Sequence, residues 1–127
     1  MGTGNAEIDI DAPADAVWAV VGDFGGVAGW MPGLDGCRVE GDDRILDTMG
    51  MTITERLLAK DDSGRSLTYS VVDGAPVEGH RAVITVTPAG EACHVSWVVE
   101  ATPDEMADLM ATVYQQALAT LKTHVEG

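Results

Sequence analysis

The segment ITERLLAKDDSGRSLTYSVVDG, residues 53–74, alternates apolar and polar side chains on both sides of the polar turn DDSG. Because successive strand side chains point to opposite faces, this pattern predicts two antiparallel strands joined by a hairpin. Ile53, Leu57 and Ala59 fall on the face predicted to meet a core. Glu55 lies in the same apolar set, although a buried carboxylate is costly without a partner.

Three explanations for Glu55 are open from the residues alone. It pairs with a buried cation, for which Arg44 and Arg81 are the candidates. It holds ordered water inside the fold. Or it is a functional carboxylate, placed for binding or for proton transfer.

The composition predicts one folded domain over residues 1–127. The hydrophobic content of 46% excludes a disordered chain. No apolar run approaches the roughly 18 residues of a membrane span, and no secretory leader is visible, so a cytoplasmic protein is predicted. With 7 basic and 21 acidic residues, the net charge of −14 argues against binding nucleic acid or anionic membranes.

The remaining segments predict the order of elements. Residues 5–11 alternate like a strand, Pro13 suits the first turn of a helix, and GGVAGWM (25–31) predicts a second short helix. Further strands are predicted at 36–42, 43–50, 51–60, 65–74, 79–88 and 92–101, the phase of the 43–50 strand being ambiguous.

The C-terminal segment changes to helical periodicity. Thr102 to Glu105 reads as a capping box with Pro103 at the first helical position. A helix of about 22 residues follows. Its apolar stripe consists of Met106, Met110, Val113, Ala117 and Leu121, widened by Tyr114, Leu118 and Val125.

These elements predict an α+β fold. A curved, seven-stranded antiparallel sheet would wrap around the long C-terminal helix, with two short helices between strands 1 and 2. One helix covers only part of such a sheet, so the remaining inner surface would enclose an internal cavity.

Together with IDAPADAVWAVVGDFGGVAGWMPGLDG (10–36), the segment 53–74 resembles the START-like (SRPBCC) helix-grip superfamily, and within it the polyketide cyclase/dehydrase-like branch. The resemblance covers residues 5–125 and is more specific for fold than for function. It implies a cavity that takes a small hydrophobic molecule.

The segment 53–74 is also similar to the plant abscisic acid receptors of this superfamily, which carry a T-E-R-L strand, a D-D turn and a gating loop. That similarity implies that Glu55 points into the cavity, that 71–80 is a gate-like loop, and that His80 faces ligand. Asp35 stands where the receptors have a carboxylate-anchoring lysine. An abscisate-like anion and a phosphatase-binding receptor role are therefore not predicted.

Three side chains are predicted to be catalytic if the protein is an enzyme. Glu55 would remove or relay a proton, while Tyr69 and His80 would polarise a carbonyl or protonate a departing hydroxyl. A core tyrosine and a strand-end histidine are the alternative readings. The predicted ligand-binding residues are mostly apolar: Trp30, Met31, Cys37, Met49, Met51, Ile53, Leu67, Ile84, Trp97, Met106, Met110 and Tyr114.

Several chemistries are not expected. Cys37 and Cys93 read as small buried hydrophobes, with a disulfide between them as the alternative, and no metal-ligand spacing is present. Lys60 and Lys122, the only lysines, are predicted to face outward, which argues against a Schiff base. No cofactor is predicted.

Two functions remain open from the sequence. The first is a lyase-type enzyme that cyclises or dehydrates a polyketide-like substrate. The second is a non-catalytic carrier or sensor of a lipid or other small molecule. The protein is expected to be a monomer or a homodimer.

Overall fold

The computed structural model describes residues 2–127, which form seven strands, two α-helices and one 3-10 helix. In chain order these are β1 Gly2–Ile10, α1 Ala14–Val21, the 3-10 helix Phe24–Gly29, β2 Gly36–Glu40, β3 Asp43–Thr48, β4 Met51–Asp61, β5 Ser66–Asp73, β6 Glu78–Ala89, β7 Ala92–Thr102 and α2 Asp104–Glu126.

The strands form one curved antiparallel sheet in the order β1-β7-β6-β5-β4-β3-β2. The two short helices connect its two edge strands, and α2 follows the last strand. This arrangement confirms the predicted α+β fold with a long C-terminal helix. No helix within residues 2–127 is long and apolar enough to cross a membrane.

The core lies between the concave face of the sheet and α2. Each fully buried large apolar side chain contributes about 1.5–3 kcal/mol to stability. The inward side chains from His80 to Val86 in β6 and from Cys93 to Val99 in β7 are buried, as their alternation predicts: His80, Ala82, Ile84, Val86, Cys93, Val95, Trp97 and Val99.

The α2 helix packs mainly against β1 and β7. Gly4 of β1 permits this approach, because a Cβ atom there would lie 2.5 Å from the carbonyl oxygen of Ala107 and 2.8 Å from Cβ of Ala111. Further along the helix, Leu118 and Leu121 are fully buried. The helix is therefore anchored on one half of the sheet.

The other half of the sheet remains uncovered by the helix. The first turns of α2 carry Met106, Leu109, Met110 and Val113, none of which is fully buried. These side chains lie across a gap from β3 and β4. A pocket opens where the helix leaves the sheet uncovered.

The alternation of β4 holds for Ile53, Glu55 and Leu57 and then fails. Leu57 pairs with Tyr69 while Ala59 pairs with Thr68, so one extra residue bulges out of β4. A bulge shifts the side-chain phase. Ala59 is consequently exposed, and its predicted inward orientation is wrong.

The start of α2 also differs from the sequence prediction. Thr102 stays in β7, where it pairs with Glu78, and Pro103 takes the N-cap position. No side chain caps the helix, so the predicted capping box is not formed. Asp104 and Glu105 in the first turn still complement the helix dipole.

The second short helix and the β5–β6 loop are both shorter than predicted. The second short helix is a 3-10 helix that ends at Gly29, because Trp30 already has a non-helical backbone. The predicted gate-like loop at 71–80 is mostly strand, and only residues 74–77 connect β5 to β6. Cys37 and Cys93 are both free, so the disulfide alternative is not realised.

We expect Gly4→Ala to destabilise the fold by roughly 1–3 kcal/mol, because the added methyl group forces α2 away from β1. Gly29→Ala is the matched control, since a Cβ atom there meets nothing within 4 Å. Urea unfolding of both variants measures the difference. Equal stability of the two variants would show that the contact between β1 and α2 is not tight.

Candidate functional site

A pocket of about 360 Å³ lies between the first turns of α2 and the β3–β4 hairpin. The residues after the 3-10 helix and the β5–β6 loop complete its wall. Its lining consists of Met31, Pro32, Gly33, Leu34, Leu46, Thr48, Met49, Met51, Ile53, Glu55, Val71, Ala75, Pro76, Met106, Leu109, Met110, Val113 and Tyr114.

Methionine dominates this lining. Every methionine after residue 1 contributes to it, from three separate segments: Met31, Met49, Met51, Met106 and Met110. Thioether side chains are flexible and polarisable, so they adapt to ligands of different shapes. The wall is therefore apolar and adjustable.

A second depression, of about 590 Å³, lies against α1 and the outer part of β4. Although it is larger, Asp23, Lys60 and Asp62 line it, and Lys60 lies 3.7 Å from Asp62. Trp18 in its wall already donates its indole N–H to Asp62 over 3.0 Å. The smaller pocket fits an apolar ligand better, because its wall is largely hydrophobic.

The buried partner of Glu55 is Arg44. The two residues lie directly opposite each other on β4 and β3, and they are 8% and 5% exposed. Nε and Nη2 of Arg44 both lie 2.7 Å from Oε1 of Glu55. Of the three explanations for Glu55, the buried ion pair is therefore present, while Arg81 lies exposed at the surface.

The guanidinium of Arg44 is held on several sides. Nη1 donates to the carbonyl oxygen of Phe24 over 3.0 Å. The guanidinium carbon lies 4.0 Å from the ring centre of Phe24 and 4.8 Å from that of Tyr69. A cation between two aromatic faces gains attraction from both rings. Arg44 thus ties β3 to the 3-10 helix and to β5.

Glu55 is also aimed at the pocket. A bulge lies beside it, because Thr54 pairs with Asp73 but Glu55 pairs with Val71. Bulges of this kind re-aim side chains at functional sites. Glu55 lines the pocket, and no hydrogen bond within residues 2–127 ends on its Oε2. One carboxylate oxygen holds Arg44, and the other is unused.

A hydrogen-bonded cluster forms the inner end of the pocket. Tyr69 and Tyr114 join their hydroxyl groups over 3.1 Å, and Nε2 of His80 lies 3.5 Å from the Tyr114 hydroxyl. The ring of Trp97 stacks parallel on Tyr114, with 3.9 Å between centroids. Tyr114 is the member of this cluster that lines the pocket.

His80 is neutral in this cluster. Burial lowers the pKa of its imidazole to about 4. The backbone N–H of Val71 donates to Nδ1 over 2.9 Å, so the single ring proton is on Nε2. Burial also raises the pKa of both Tyr69 and Tyr114, with the Glu55 charge adding to it. Both tyrosines are therefore protonated near neutral pH.

The structure divides the predicted site residues into two groups. Eight of them line the pocket: Met31, Met49, Met51, Ile53, Glu55, Met106, Met110 and Tyr114. The other seven lie outside this lining, and all but the half-buried Cys37 are buried: Trp30, Cys37, Leu67, Tyr69, His80, Ile84 and Trp97. Tyr69 and His80, predicted to contact ligand, both contact the Tyr114 hydroxyl and lie outside the lining, and their contact with a ligand stays a prediction.

Several lining residues were not predicted. Leu109 and Val113 follow Met106 and Met110 at helical spacing, which is a signal that the sequence contains. Leu34, Leu46, Ala75 and Pro76 come from loops and an ambiguous strand. Within residues 2–127, no three His, Cys, Asp or Glu side chains are grouped as a metal site.

Residues 1–126 match a protein family described as polyketide cyclase / dehydrase and lipid transport. No curated protein matches the chain. Among solved structures, the protein XoxI from Bacillus cereus is 28% identical, with a TM-score of 0.92 over 98% of this chain and 96% of the other.

Two more distant structures share the fold. A START superfamily protein from Mycobacterium smegmatis is 16% identical, with a TM-score of 0.83 over 99% of this chain and 98% of its own. Norcoclaurine synthase from Thalictrum flavum, in complex with dopamine and hydroxybenzaldehyde, is 19% identical, with a TM-score of 0.77 over 98% and 86%.

We expect Arg44→Met to cost about 3–5 kcal/mol of stability, because it leaves the Glu55 charge buried without a partner. The double variant Arg44→Met with Glu55→Gln should recover part of that loss. Arg56→Met is the matched control, since Arg56 pairs with Asp43 at the surface of the same two strands. Chemical denaturation measures all three. Equal losses for Arg44→Met and Arg56→Met would contradict the buried pair.

The imidazole titrations of His80 and His94 should shift in opposite directions. His80 should titrate near pH 4 with its proton on Nε2 above that pH. His94, whose pKa is raised by its hydrogen bond to Asp9, should titrate above 6.5. NMR of the ring nitrogens measures both in one sample, so each serves as the other's reference. A His80 that titrates near 6.5 would show that its ring is not buried.

The depressed pKa of His80 also sets a pH dependence of stability. The unfolded state binds a proton at about pH 6.5, where folded His80 remains neutral. The free energy of unfolding should therefore fall by roughly 3 kcal/mol as the pH drops from 6.5 through 4. His80→Asn, whose side-chain oxygen can accept the Val71 N–H, should lose this part of the acid sensitivity. If His80→Asn showed the same pH dependence of the free energy of unfolding as the wild-type protein, the assignment to His80 would be contradicted.

Proposed function

The chain belongs to the polyketide cyclase / dehydrase and lipid transport family, and we propose that it binds a small hydrophobic molecule in the pocket beside α2. The observation that carries the proposal is the apolar character of the pocket lining. All of its residues are apolar or glycine except Thr48, Glu55 and Tyr114. A pocket of 360 Å³ lies within the range of about 300–1,000 Å³ typical of small-molecule sites.

The charges around the pocket favour a neutral ligand. Glu55 and Arg44 neutralise each other, so an ionised ligand would meet no free counter-charge in the wall. The net charge of −14 further disfavours anions. Binding would gain about 25 cal/mol for each Å² of apolar surface removed from water. A neutral molecule with a mostly hydrocarbon skeleton satisfies these conditions.

The position of Glu55 supports a second candidate, the cyclisation or dehydration of a polyketide-like substrate. Its unused oxygen Oε2 belongs to a carboxylate that lines an apolar pocket. Such an oxygen could take a proton from a carbon next to a carbonyl. In a dehydration, that proton would leave with the departing hydroxyl as water. Without this step, the protein is a carrier or sensor.

Native mass spectrometry separates the two candidates. The purified protein would be offered sterols, long-chain alcohols, aromatic polyketides and linear polyketide precursors. A bound species of unchanged mass supports a carrier or sensor. A species that has lost one water supports catalysis, which Glu55→Gln should then abolish. If no compound binds above the level of a heat-denatured sample, the proposed function is wrong.

We expect Leu109→Glu to weaken binding of an apolar ligand about tenfold or more, because it places an unpaired carboxylate in the pocket wall. Leu58→Glu is the matched control. Both leucines are more than half exposed, but Leu58 lies outside the lining. Titration of each variant with a ligand from the panel measures the affinities. Equal weakening by both substitutions would place the ligand elsewhere.

A further inference from the structure

The proton of the Tyr69 hydroxyl can be assigned from its surroundings. Tyr69 is 1% exposed and does not line the pocket, so neither solvent nor ligand reaches its hydroxyl. Within residues 2–127 the one acceptor that its hydroxyl meets is the Tyr114 hydroxyl, because the neighbouring Trp97 indole N–H can only donate. A buried O–H group without an acceptor is strongly disfavoured. Tyr69 therefore donates its proton to the Tyr114 oxygen.

His80 directs a second proton at the same oxygen. Nδ1 of His80 accepts the Val71 N–H, so the proton on Nε2 points to Tyr114 across a long contact of 3.5 Å. A phenol oxygen has two acceptor sites and one proton of its own. Tyr69 and His80 occupy both acceptor sites. The Tyr114 proton has no acceptor within residues 2–127, and Tyr114 lines the pocket.

We propose that the Tyr114 hydroxyl donates a hydrogen bond to a carbonyl oxygen of the ligand, while Glu55 Oε2 accepts one from a ligand hydroxyl. This inference rests on the proposed function and names its ligand class: a neutral, apolar molecule that carries both a carbonyl and a hydroxyl group. Tyr69 and His80 are positioning residues, because they act on the ligand through Tyr114.

The rigid surroundings of Tyr114 support this role. Trp97 stacks on its ring with an interplanar angle of 1°, which fixes the ring plane. The two donors fix the direction of the remaining proton. A donor held in this way gives up little freedom when the ligand binds. The two polar groups have opposite requirements, since Tyr114 offers a proton and Glu55 Oε2 needs one.

Four probes on one skeleton test the assignment: 4-hydroxyoctan-2-one, octan-2-one, octan-4-ol and octane. Their affinities are measured through tryptophan fluorescence, because Trp97 stacks on Tyr114. We expect Tyr114→Phe to weaken the two carbonyl probes about tenfold and to change the other two less than about twofold. Equal weakening of all four probes would show that Tyr114 is only structural.

Tyr69→Phe tests the direction of the hydrogen bond between the tyrosines. If Tyr69 donates, the substitution removes one positioning contact, and selectivity for the carbonyl probes should fall about two- to threefold. If Tyr114 instead donates to Tyr69, the substitution frees the Tyr114 proton and raises affinity for carbonyl probes. That gain would overturn the assignment.

The outcomes also distinguish a failure of this inference from a failure of the proposed function. If none of the four probes binds, octane included, the proposed pocket function fails and the inference fails with it. If all four bind and Tyr114→Phe leaves the carbonyl preference unchanged, the inference alone fails.

Discussion

The buried ion pair between Arg44 and Glu55 is the constraint on which the site depends. It joins the adjacent strands β3 and β4, and Arg44 also contacts the carbonyl oxygen of Phe24 and the ring of Tyr69. Two charges removed from water stay together because separating them leaves one unpaired in a low-dielectric interior. The pair therefore holds the carboxylate in place beside the pocket, and the two opposite charges leave this part of the pocket wall without net charge.

The position of α2 explains why a pocket exists at all. A helix anchored on β1 and β7 cannot also cover β3 and β4, since a single helix is about 10–12 Å wide and a sheet of this size is broader. The apolar residues at the start of α2 are consequently left half-exposed, facing β3 and β4. The pocket lining and the core are thus parts of one continuous hydrophobic surface, and Tyr114 belongs to both.

Local regularity determined what could be predicted from the sequence. The inward orientation of Glu55 follows from the two-residue period of a strand, and the long helix follows from its apolar stripe. The exposure of Ala59 did not follow, because a bulge depends on the pairing partner as well as on the strand itself. The choice of Arg44 over Arg81 required the register between β3 and β4, which the ambiguous strand concealed. The place of Tyr69 and His80 behind Tyr114 depends on three-dimensional packing that no spacing reveals.

The methionine lining has a consequence for how such a protein changes over generations. Met31, Met49 and Met51 lie at or near chain turns, outside the buried core that holds the sheet to α2. Replacing them alters the shape of the wall while leaving the ion pair and the contact between β1 and α2 intact. For the ligand binding proposed above, single substitutions of these methionines would therefore change which compound fits best without unfolding the protein.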